Sequence, residues 1–326
     1  MLSSSSASFL FVGSLALVAT AGCDPEVELI REREAEGGSC PVWQCGYNSA
    51  EVNGRAIHEL NLDGEANGEG MRIVGFIAPA GILGDYELEV EDDELVAKGV
   101  GPDLRGAALL GATILVQSQD LLGLPVPISI LKYEEIPAWA AGAAPVATYA
   151  LVYPDADAVL GQRNVCTGDL TDALTSAATV LGGETYDLTT KTVQPAARWL
   201  TIACAGSAAA KLRLLNYGPQ SDFDGEGHPA SVAQRQATLK MITADYCGTG
   251  HSYTKNHTPL AWENADGTVE ASSLGSLEAV WTEKGALCLD TTRLRNVQVA
   301  CKLPRCTKVS LDDGEWQTRV PRSQLN

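Results

Sequence analysis

The stretch Met-Ile-Thr-Ala-Asp-Tyr-Cys-Gly-Thr-Gly-His, residues 241–251, decides how the C-terminal half of the chain is expected to fold. Ser231 and Gln234 have the spacing of a capping box at the start of a helix that leads into it. Gly248 is expected to end that helix in the left-handed conformation. Cys247 would then lie at the helix C-terminus, where the dipole disfavours a thiolate, so the pattern favours a structural disulfide over a nucleophile. Apolar residues recur along the helix at the spacing of one face: Val232, Leu239, Ile242 and Tyr246.

The motif Ala244-Asp245-Tyr246-Cys247, followed by Gly248, resembles the ADYC-domain family of uncharacterised envelope lipoproteins from myxobacteria and their relatives. The resemblance covers roughly Thr148 to Cys306 and implies an ADYC-like domain over residues 146–306. Two cysteines of the family pattern are absent here, because Leu212 follows Lys211 and no cysteine stands near Gln236. The family has no agreed activity, so the resemblance implies no mechanism. Besides the motif, the resemblance includes three other segments of this chain: the loop 248–254, the strand Ile202-Ala203-Cys204 before Lys211, and Trp281 with the segment 285–289.

The first 22 residues contain no charged side chain and include a long apolar run from Phe9 to Ala21. This run is too short to span a bilayer as a helix, and residues 1–22 are typical of a secretory signal peptide. The segment Val18-Ala19-Thr20-Ala21-Gly22-Cys23 resembles a bacterial lipobox and predicts lipidation at Cys23, with ordinary cleavage as the alternative. We therefore expect an exported protein, lipid-anchored in the cell envelope at the outer membrane, on its periplasmic face or on the surface.

The formal net charge of the chain is −18, and the uncharged signal removes none of it. Such a charge argues against nucleic acid as a partner. The expected partners are the membrane, through the lipid anchor, and an envelope protein or a glycan. Residues 23–39 are rich in Glu and predict a lipid-anchored acidic tether.

Nine cysteines are present, and setting Cys23 aside leaves an even number in an exported chain. This count predicts four disulfides. Their order along the chain suggests that neighbours pair: Cys40–Cys45, Cys166–Cys204, Cys247–Cys288 and Cys301–Cys306.

The expected fold class is mainly β with a few helices (α+β), with a β-sandwich-like region over residues 40–135 and the disulfide-stapled ADYC-like domain behind it. In the first region Tyr86, Leu88 and Val90 alternate with glutamates, which predicts a half-buried strand. The Pro/Gly/Ala-rich segment Ile136–Pro145 is expected to join the two regions. Further strands are predicted at Arg72–Ile77, Leu95–Val100, Thr113–Gln117 and Pro127–Tyr133.

The C-terminal region is expected to begin with a strand over Ala147–Tyr153 and a helix over Asp169–Leu181, which Gly182-Gly183 would end. Residues 307–326 are expected to form a polar tail that frays. Other strands are predicted at Trp199–Cys204 and Ala210–Tyr217, paired with each other, and at Ala279–Thr282, Ala286–Leu289 and Val297–Leu303.

The loop after the motif is the candidate functional loop, because it places His251 and His257 near Asp245. A Cys–His dyad would need a free thiol, which four disulfides exclude. A metal held by the two histidines is a weaker interpretation than a solvated polar loop, and a four-thiolate zinc site of Cys40, Cys45, Cys301 and Cys306 is weaker than disulfides. The acidic loops Asp222–Glu226, Asn61–Asn67 and Asn264–Gly267 contain parts of calcium sites but fit turns better. The sequence therefore predicts no catalytic residue, no bound metal and no cofactor.

Two functions remain open on the sequence alone. The first is a cell-envelope lipoprotein of unknown activity, a binding or structural module held by four disulfides. The alternative is an envelope hydrolase or carbohydrate-processing enzyme that uses the Asp245–His257 loop, a metal bound there, or carboxylates that the sequence does not place. The motifs of serine hydrolases, P-loop nucleotidases and zincins are absent, which favours the first.

Overall fold

The computed structural model describes residues 49–119, 124–158, 160–166, 177–255, 258–270 and 275–321. Strands dominate these ranges and two α-helices lie in the second half, so the expected fold class, mainly β with helices, is confirmed. The first eleven strands are β1 (Glu51–Val52), β2 (Arg55–Ala56), β3 (Glu59–Asn61), β4 (Met71–Ile77), β5 (Tyr86–Glu91), β6 (Glu94–Gly99), β7 (Leu104–Arg105), β8 (Thr113–Ser118), β9 (Val126–Ile136), β10 (Val146–Pro154) and β11 (Gln162–Asn164). The remaining elements are β12 (Ala178–Asp187), β13 (Thr192–Cys204), α1 (Ala208–Leu214), α2 (Val232–Thr243), β14 (Ala261–Asn264), β15 (Ser276–Thr282), β16 (Gly285–Leu289) and β17 (Trp316–Val320).

The largest sheet is antiparallel throughout, with the strand order β3-β13-β12-β10-β9-β8-β4, and β11 pairs with β10. In β8, buried residues alternate with half-buried ones, so one face of that strand is covered. A second sheet, β5-β6-β7, contributes Leu88, Val90 and Leu95 to the same core cluster as Ile114 and Val116 of β8. The sequence predicted β4, β5, β6, β8 and β9 to within a few residues at each end, but not the short strands β1, β2, β3 and β7.

The segment that we expected to join two regions is a hairpin loop inside the large sheet. β9 ends at Ile136, β10 begins at Val146, and these two residues face each other across the pair. The sheet therefore does not divide at the place that we expected. Only one short connection is needed because the strands run antiparallel.

The tip of the β5–β6 hairpin ties the first half of the chain to the second. Asp93 lies there with φ of 56° and is fully buried. Its carboxylate accepts hydrogen bonds from the backbone N–H of Gly182 (3.1 Å) and Gln220 (3.2 Å) and from the Ser221 hydroxyl (3.1 Å). Burial raises the pKa of Asp93, although the nearby Arg213 guanidinium opposes this.

Two elements of the middle region differ from the prediction. The helix expected over Asp169–Leu181 is wrong at its end, because Ala178–Asp187 is the strand β12; residues 167–176 lie outside the described residues. The run Ala178–Leu181 is buried on both faces, and such apolar runs do not reveal by periodicity whether they form a helix or a strand. Gly183, with φ of +85°, lies at an irregularity in the β12–β13 pairing instead of ending a helix.

The strand predicted over Ala210–Tyr217 is also wrong, because residues 208–214 form helix α1. The Ser207 side chain caps this helix by accepting a hydrogen bond from the backbone N–H of Ala210. Three alanines follow the cap and have the highest helix propensity, which outweighs the apolar alternation that follows.

A separate sheet in the C-terminal region has the order β14-β17-β15-β16. The expected polar tail over 307–326 is wrong, since β17 lies between β14 and β15 and Trp316 is fully buried. The Trp316 indole N–H donates to the hydroxyl of Thr238 on α2 (2.8 Å). The strand predicted over Val297–Leu303 is wrong, because these residues have irregular backbone.

Within the described residues, no helix is long and apolar enough to cross a bilayer.

Candidate functional site

Helix α2 forms the centre of the C-terminal region and leads into the motif at residues 244–247. The predicted capping box is confirmed: the Ser231 hydroxyl accepts from the Gln234 N–H, and the Gln234 side chain accepts from the Ser231 N–H. From Arg235 to Thr243 every residue is buried, because α1, β13 and the C-terminal sheet surround the helix. A helix buried on all sides has to pair each of its polar side chains with a partner inside the protein.

The helix ends one residue before the motif, not at Gly248. Ala244 adopts the left-handed conformation (φ 51°, ψ 42°), and its N–H donates to the carbonyls of Lys240 and Met241. Cys247 consequently lies beyond the helix end, in the turn that follows. Gly248 also has a positive φ of +68°, but it serves the packing of that turn against another segment.

Asp245 directs its side chain inward and pairs with Lys240 from the last turn of α2. The carboxylate accepts from the Lys240 ammonium (2.7 Å) and from the backbone N–H groups of Thr249 (3.0 Å) and Gly250 (2.7 Å). Lys240 also donates to the carbonyl of Thr190 in the β12–β13 hairpin loop (2.8 Å). The pair is therefore saturated with partners and joins the helix, the loop after the motif and the large sheet.

Two glycines allow this loop to approach other backbone segments closely. A Cβ atom at Gly248 would lie 2.0 Å from the carbonyl oxygen of Lys284, and one at Gly250 would lie 2.0 Å from that of Thr189. Both glycines have positive φ, so the conformation and the close approach each require glycine.

Tyr246 joins the helix to the C-terminal sheet. Its hydroxyl donates to Glu278 on β15 (2.5 Å) and accepts from the backbone N–H of Arg293 (2.8 Å). Its ring stacks on Trp281 at 5.2 Å and lies 5.4 Å from the ring of Tyr253. Burial, together with the charge of Glu278, raises the pKa of Tyr246 well above its ordinary value.

Arg293 completes this cluster by holding a carboxylate and the end of α2 at once. Its guanidinium pairs with Glu278 (3.0 Å) and donates to the carbonyls of Met241 (2.9 Å) and Ile242 (3.0 Å). These carbonyls belong to the C-terminal turn of the helix, where a cation is favourable. The sequence analysis missed Lys240, Glu278 and Arg293, since nothing local marks a charged residue as buried.

A further buried pair lies on the N-terminal side of the helix. Arg235 donates to Glu184 on β12 (2.8 Å), and Glu184 also accepts from the hydroxyl of Tyr186. Burial raises the pKa of Glu184, whereas the Arg235 guanidinium opposes this rise. The two buried cations of α2 thus meet carboxylates: Arg235 pairs with Glu184 on β12, and Lys240 with Asp245 in the turn after the helix.

Three disulfides are present among the described cysteines, and two of the predicted pairings are wrong. Cys166–Cys204 is confirmed. Cys247 pairs with Cys301 instead of Cys288, and Cys288 pairs with Cys306. Cys40 and Cys45 lie outside the described residues.

Cys288 pairs with Cys306 and not with Cys247 because of the face of the C-terminal sheet to which its side chain points. Cys288 on β16 lies opposite Val280 on β15, and both pack with Cys306 on the outer side of the sheet. The next residue, Trp281, points the other way and stacks on Tyr246 of the motif. Cys288 therefore faces away from Cys247.

The three residues of the candidate functional loop do not form a catalytic group. Asp245 is buried and hydrogen-bonded, as described above, whereas His251 is exposed with its ring 4.4 Å from that of Tyr253. His257 lies outside the described residues. The Cys247 thiol is consumed in a disulfide, so the arrangement supplies no thiolate for a Cys–His dyad.

One group of described side chains has the spacing of a metal site. The ligand atoms of Asp224, Glu226 and His228 lie within 4.8 Å of one another on an exposed loop. His228 Nδ1 lies 2.8 Å from an Asp224 carboxylate oxygen, whose partner oxygen accepts from the backbone N–H of Glu226. These oxygen and imidazole ligands could hold a divalent cation, but the same contacts also stabilise a turn.

Lys211 on α1 is the one lysine whose pKa is depressed among the described residues. Burial and the positive charge of Arg293 lower the pKa of this ammonium to about 8. The depressed pKa marks a site where a positive charge is costly.

Comparison with known proteins identifies one family. The family model of the ADYC domain matches residues 106–295, more than half of the 326-residue chain. The match begins earlier than the resemblance in the sequence suggested, and includes the strands from β8 to β16 but not β17. No curated protein and no solved structure matches the chain.

Proposed function

The chain belongs to the ADYC-domain family, and we propose that it is a lipid-anchored protein of the cell envelope whose domain serves as a binding or structural module. In this proposal residues 1–22 direct export, Cys23 carries the acyl chains and residues 24–39 separate the domain from the membrane. Its partners are an envelope protein or a glycan at the folded surface. The net charge of −18 disfavours nucleic acid.

The inward orientation of the motif carries the proposal that the domain is a module without catalysis. Asp245 and Tyr246 each satisfy their polar atoms against buried partners, and Cys247 is cross-linked. A general acid or base has to reach the proton that it transfers, and a buried carboxylate with three donors does not. The motif therefore supports the fold, and recognition is left to surface loops.

The disulfides support an exported location. Cys166–Cys204, Cys247–Cys301 and Cys288–Cys306 close loops with sequence separations of 38, 54 and 18 residues. Each cross-link of this size is expected to stabilise the fold by roughly 3–4 kcal/mol through the entropy of the unfolded chain. Such bonds persist in oxidising compartments such as the periplasm and the cell surface.

The anchor is tested by detergent-phase partition and mass spectrometry of the protein purified from its own envelope. The wild-type chain is expected in the detergent phase, with the added acyl mass on the peptide that begins at Cys23. Cys23→Ser is expected to move the protein to the aqueous phase, whereas Ser39→Ala, a control in the same segment, is expected to leave it in the detergent phase. An intact wild-type chain in the aqueous phase would refute the anchor.

The absence of catalysis is tested separately with the purified oxidised protein. Glycan and peptide libraries are expected to be bound without turnover. Turnover that is lost in His251→Ala, while the melting temperature is unchanged, would establish the hydrolase alternative and overturn the module. Turnover that survives this substitution would place a catalytic site elsewhere and would also overturn it.

A further inference from the structure

The loop that connects β4 and β5 projects apolar side chains into solvent, and its single charged residue is Asp85, directly before β5. Its sequence over residues 77–84 is Ile-Ala-Pro-Ala-Gly-Ile-Leu-Gly, and this stretch contains no charged or hydrogen-bonding side chain. Leu83 is 92% exposed, and Ile77 and Ile82 are also exposed. Large apolar side chains grouped in this way are unfavourable in water and mark a surface that contacts something else.

A second exposed apolar residue lies at the same end of the β5–β6 hairpin. Val100, in the turn after β6, is 98% exposed. Tyr86, the first residue of β5, pairs with Gly99, the last residue of β6. A Cβ atom at Gly99 would lie 2.7 Å from the Asp85 carbonyl oxygen, so the segment that follows Leu83 is in contact with the segment that precedes Val100. We call residues 77–84 together with Val100 the apolar tip.

We propose that the apolar tip inserts into the interfacial region of an uncharged lipid surface, the membrane that holds the acyl chains of Cys23. This inference rests on the proposed lipid anchor. An uncharged, apolar surface matches the tip best, because residues 77–84 and Val100 carry no charge. Beside them Lys98 pairs with both Glu91 (2.8 Å) and Asp103 (2.9 Å), and Asp85 adds an exposed negative charge. Anionic lipids would be repelled by a chain with a net charge of −18.

The length of chain between the anchor and the domain allows this contact. Residues 24–48 separate Cys23 from the first described residue, Ser49, and can span at most roughly 85 Å. The anchor therefore keeps the domain at high effective concentration beside the bilayer, so a few apolar side chains suffice to orient it. A tip of Leu, Ile and Val can enter the boundary between headgroups and acyl chains, where interfacial anchors bind.

Depth-dependent quenching tests the insertion in the full acylated chain. Leu83→Trp, reconstituted in phosphatidylcholine vesicles, is expected to show a blue-shifted emission that brominated acyl chains quench. Leu188→Trp is the matched control, because Leu188 is also exposed but lies in the β12–β13 turn between Asp187 and Lys191; it is expected to behave as in water. Equal quenching at both positions, or none at position 83, would overturn the proposal.

A second measurement separates the tip from the anchor. The full chain carrying Cys23→Ser is mixed with phosphatidylcholine vesicles, with and without added phosphatidylglycerol, and binding is measured by flotation. Leu83→Asp combined with Val100→Asp is expected to weaken binding to the neutral vesicles at least about tenfold, because two apolar side chains are replaced by charged ones. Leu188→Asp is expected to leave binding unchanged. Both tip positions are almost fully exposed, so these substitutions should not unfold the domain.

The alternative occupants have distinct outcomes. A dimer in solution that Leu83→Asp dissociates would assign the tip to a second copy of the chain and overturn lipid insertion. Binding that requires phosphatidylglycerol, or that is the same with and without the two aspartates, would overturn it as well. If Cys23 carries no acyl chain but the Cys23→Ser protein still binds neutral vesicles through the tip, the anchor fails and the insertion stands.

Discussion

The carboxylate of Asp245 lies 2.7 Å from the ammonium of Lys240, and the two residues are only 0% and 2% exposed. Asp245, the second residue of the motif that defines the family, is therefore a structural charge that holds the end of α2 against the following loop. Removing one partner of such a pair leaves an uncompensated charge in the interior, which usually costs several kcal/mol.

The first prediction concerns this pair. Asp245→Asn is expected to lower the free energy of unfolding by about 3–5 kcal/mol, measured by urea denaturation, because the Lys240 charge loses its partner. Lys240→Met combined with Asp245→Asn should be less destabilising than the sum of the single changes. Glu134→Gln is the control, since the Lys132–Glu134 pair is 53% and 55% exposed and should contribute less than about 1 kcal/mol. Additive effects at Asp245 and Lys240 would contradict this account of the pair.

The second prediction compares two glycines with the same φ of +68°. Gly267→Ala meets no atom within 4 Å and is expected to cost about 1–2 kcal/mol, the penalty of the left-handed conformation alone. Gly248→Ala adds a Cβ that would overlap the Lys284 carbonyl, so it should cost clearly more and shift the melting temperature further. Equal thermal shifts for the two variants would show that the turn after the motif can move away from Lys284.

The third prediction is the disulfide map of the unreduced protein. Trypsin separates the four C-terminal cysteines onto the peptides 241–255, 285–293, 296–302 and 306–308. We expect a mass for the peptide of Cys247 joined to that of Cys301, and a second mass for the peptide of Cys288 joined to that of Cys306. A peptide that joins Cys247 to Cys288 would reject the arrangement of the motif against the C-terminal sheet.

The fourth prediction uses the depressed pKa of Lys211, which is about 8 in the folded protein. The unfolded chain binds the proton of the Lys211 ammonium more tightly than the folded chain does. The free energy of unfolding therefore decreases as the pH falls from about 10.5 to 8, because protonation favours the unfolded chain. Lys211→Met should therefore raise the free energy of unfolding by up to about 3 kcal/mol at pH 7 and by much less at pH 10.

The measurement for Lys211 is urea denaturation of wild type and variant at both pH values. Lys284→Met serves as the control because Lys284 is highly exposed, and it should give the same small change at both. A gain from Lys211→Met that does not depend on pH would mean that the ammonium is not held in an unfavourable environment.

Features that depend on neighbouring residues were predictable. The capping box at Ser231 and Gln234 and the alternation along β5 each arise from contacts within a few residues. The motif identified the family before any fold was known. The even number of cysteines predicted cross-links, of which the described residues contain three.

Some local predictions failed where two patterns competed. Ala178–Leu181 is apolar enough for either a helix or a buried strand, and pairing with β13 decides for the strand. Residues 316–320 were predicted as part of a polar tail, yet they form a strand between β14 and β15, with the alternate side chains Trp316, Thr318 and Val320 buried. The partners of β17 are distant in sequence, and Ala178–Leu181 pairs with residues 201–204 at the far end of a hairpin, so neither short window of sequence contains the answer.

The sequence by itself determined the fold class, the family and the start of the central helix, because hydrophobic periodicity and capping act over one or two turns of chain. The tertiary structure alone decided that Asp245 is a buried partner of Lys240 and Thr249, that Cys247 meets Cys301, and that Leu83 and Val100 lie at one end of a hairpin. These relationships depend on which face of each strand is turned to the core, and that choice is made by the packing of the whole domain.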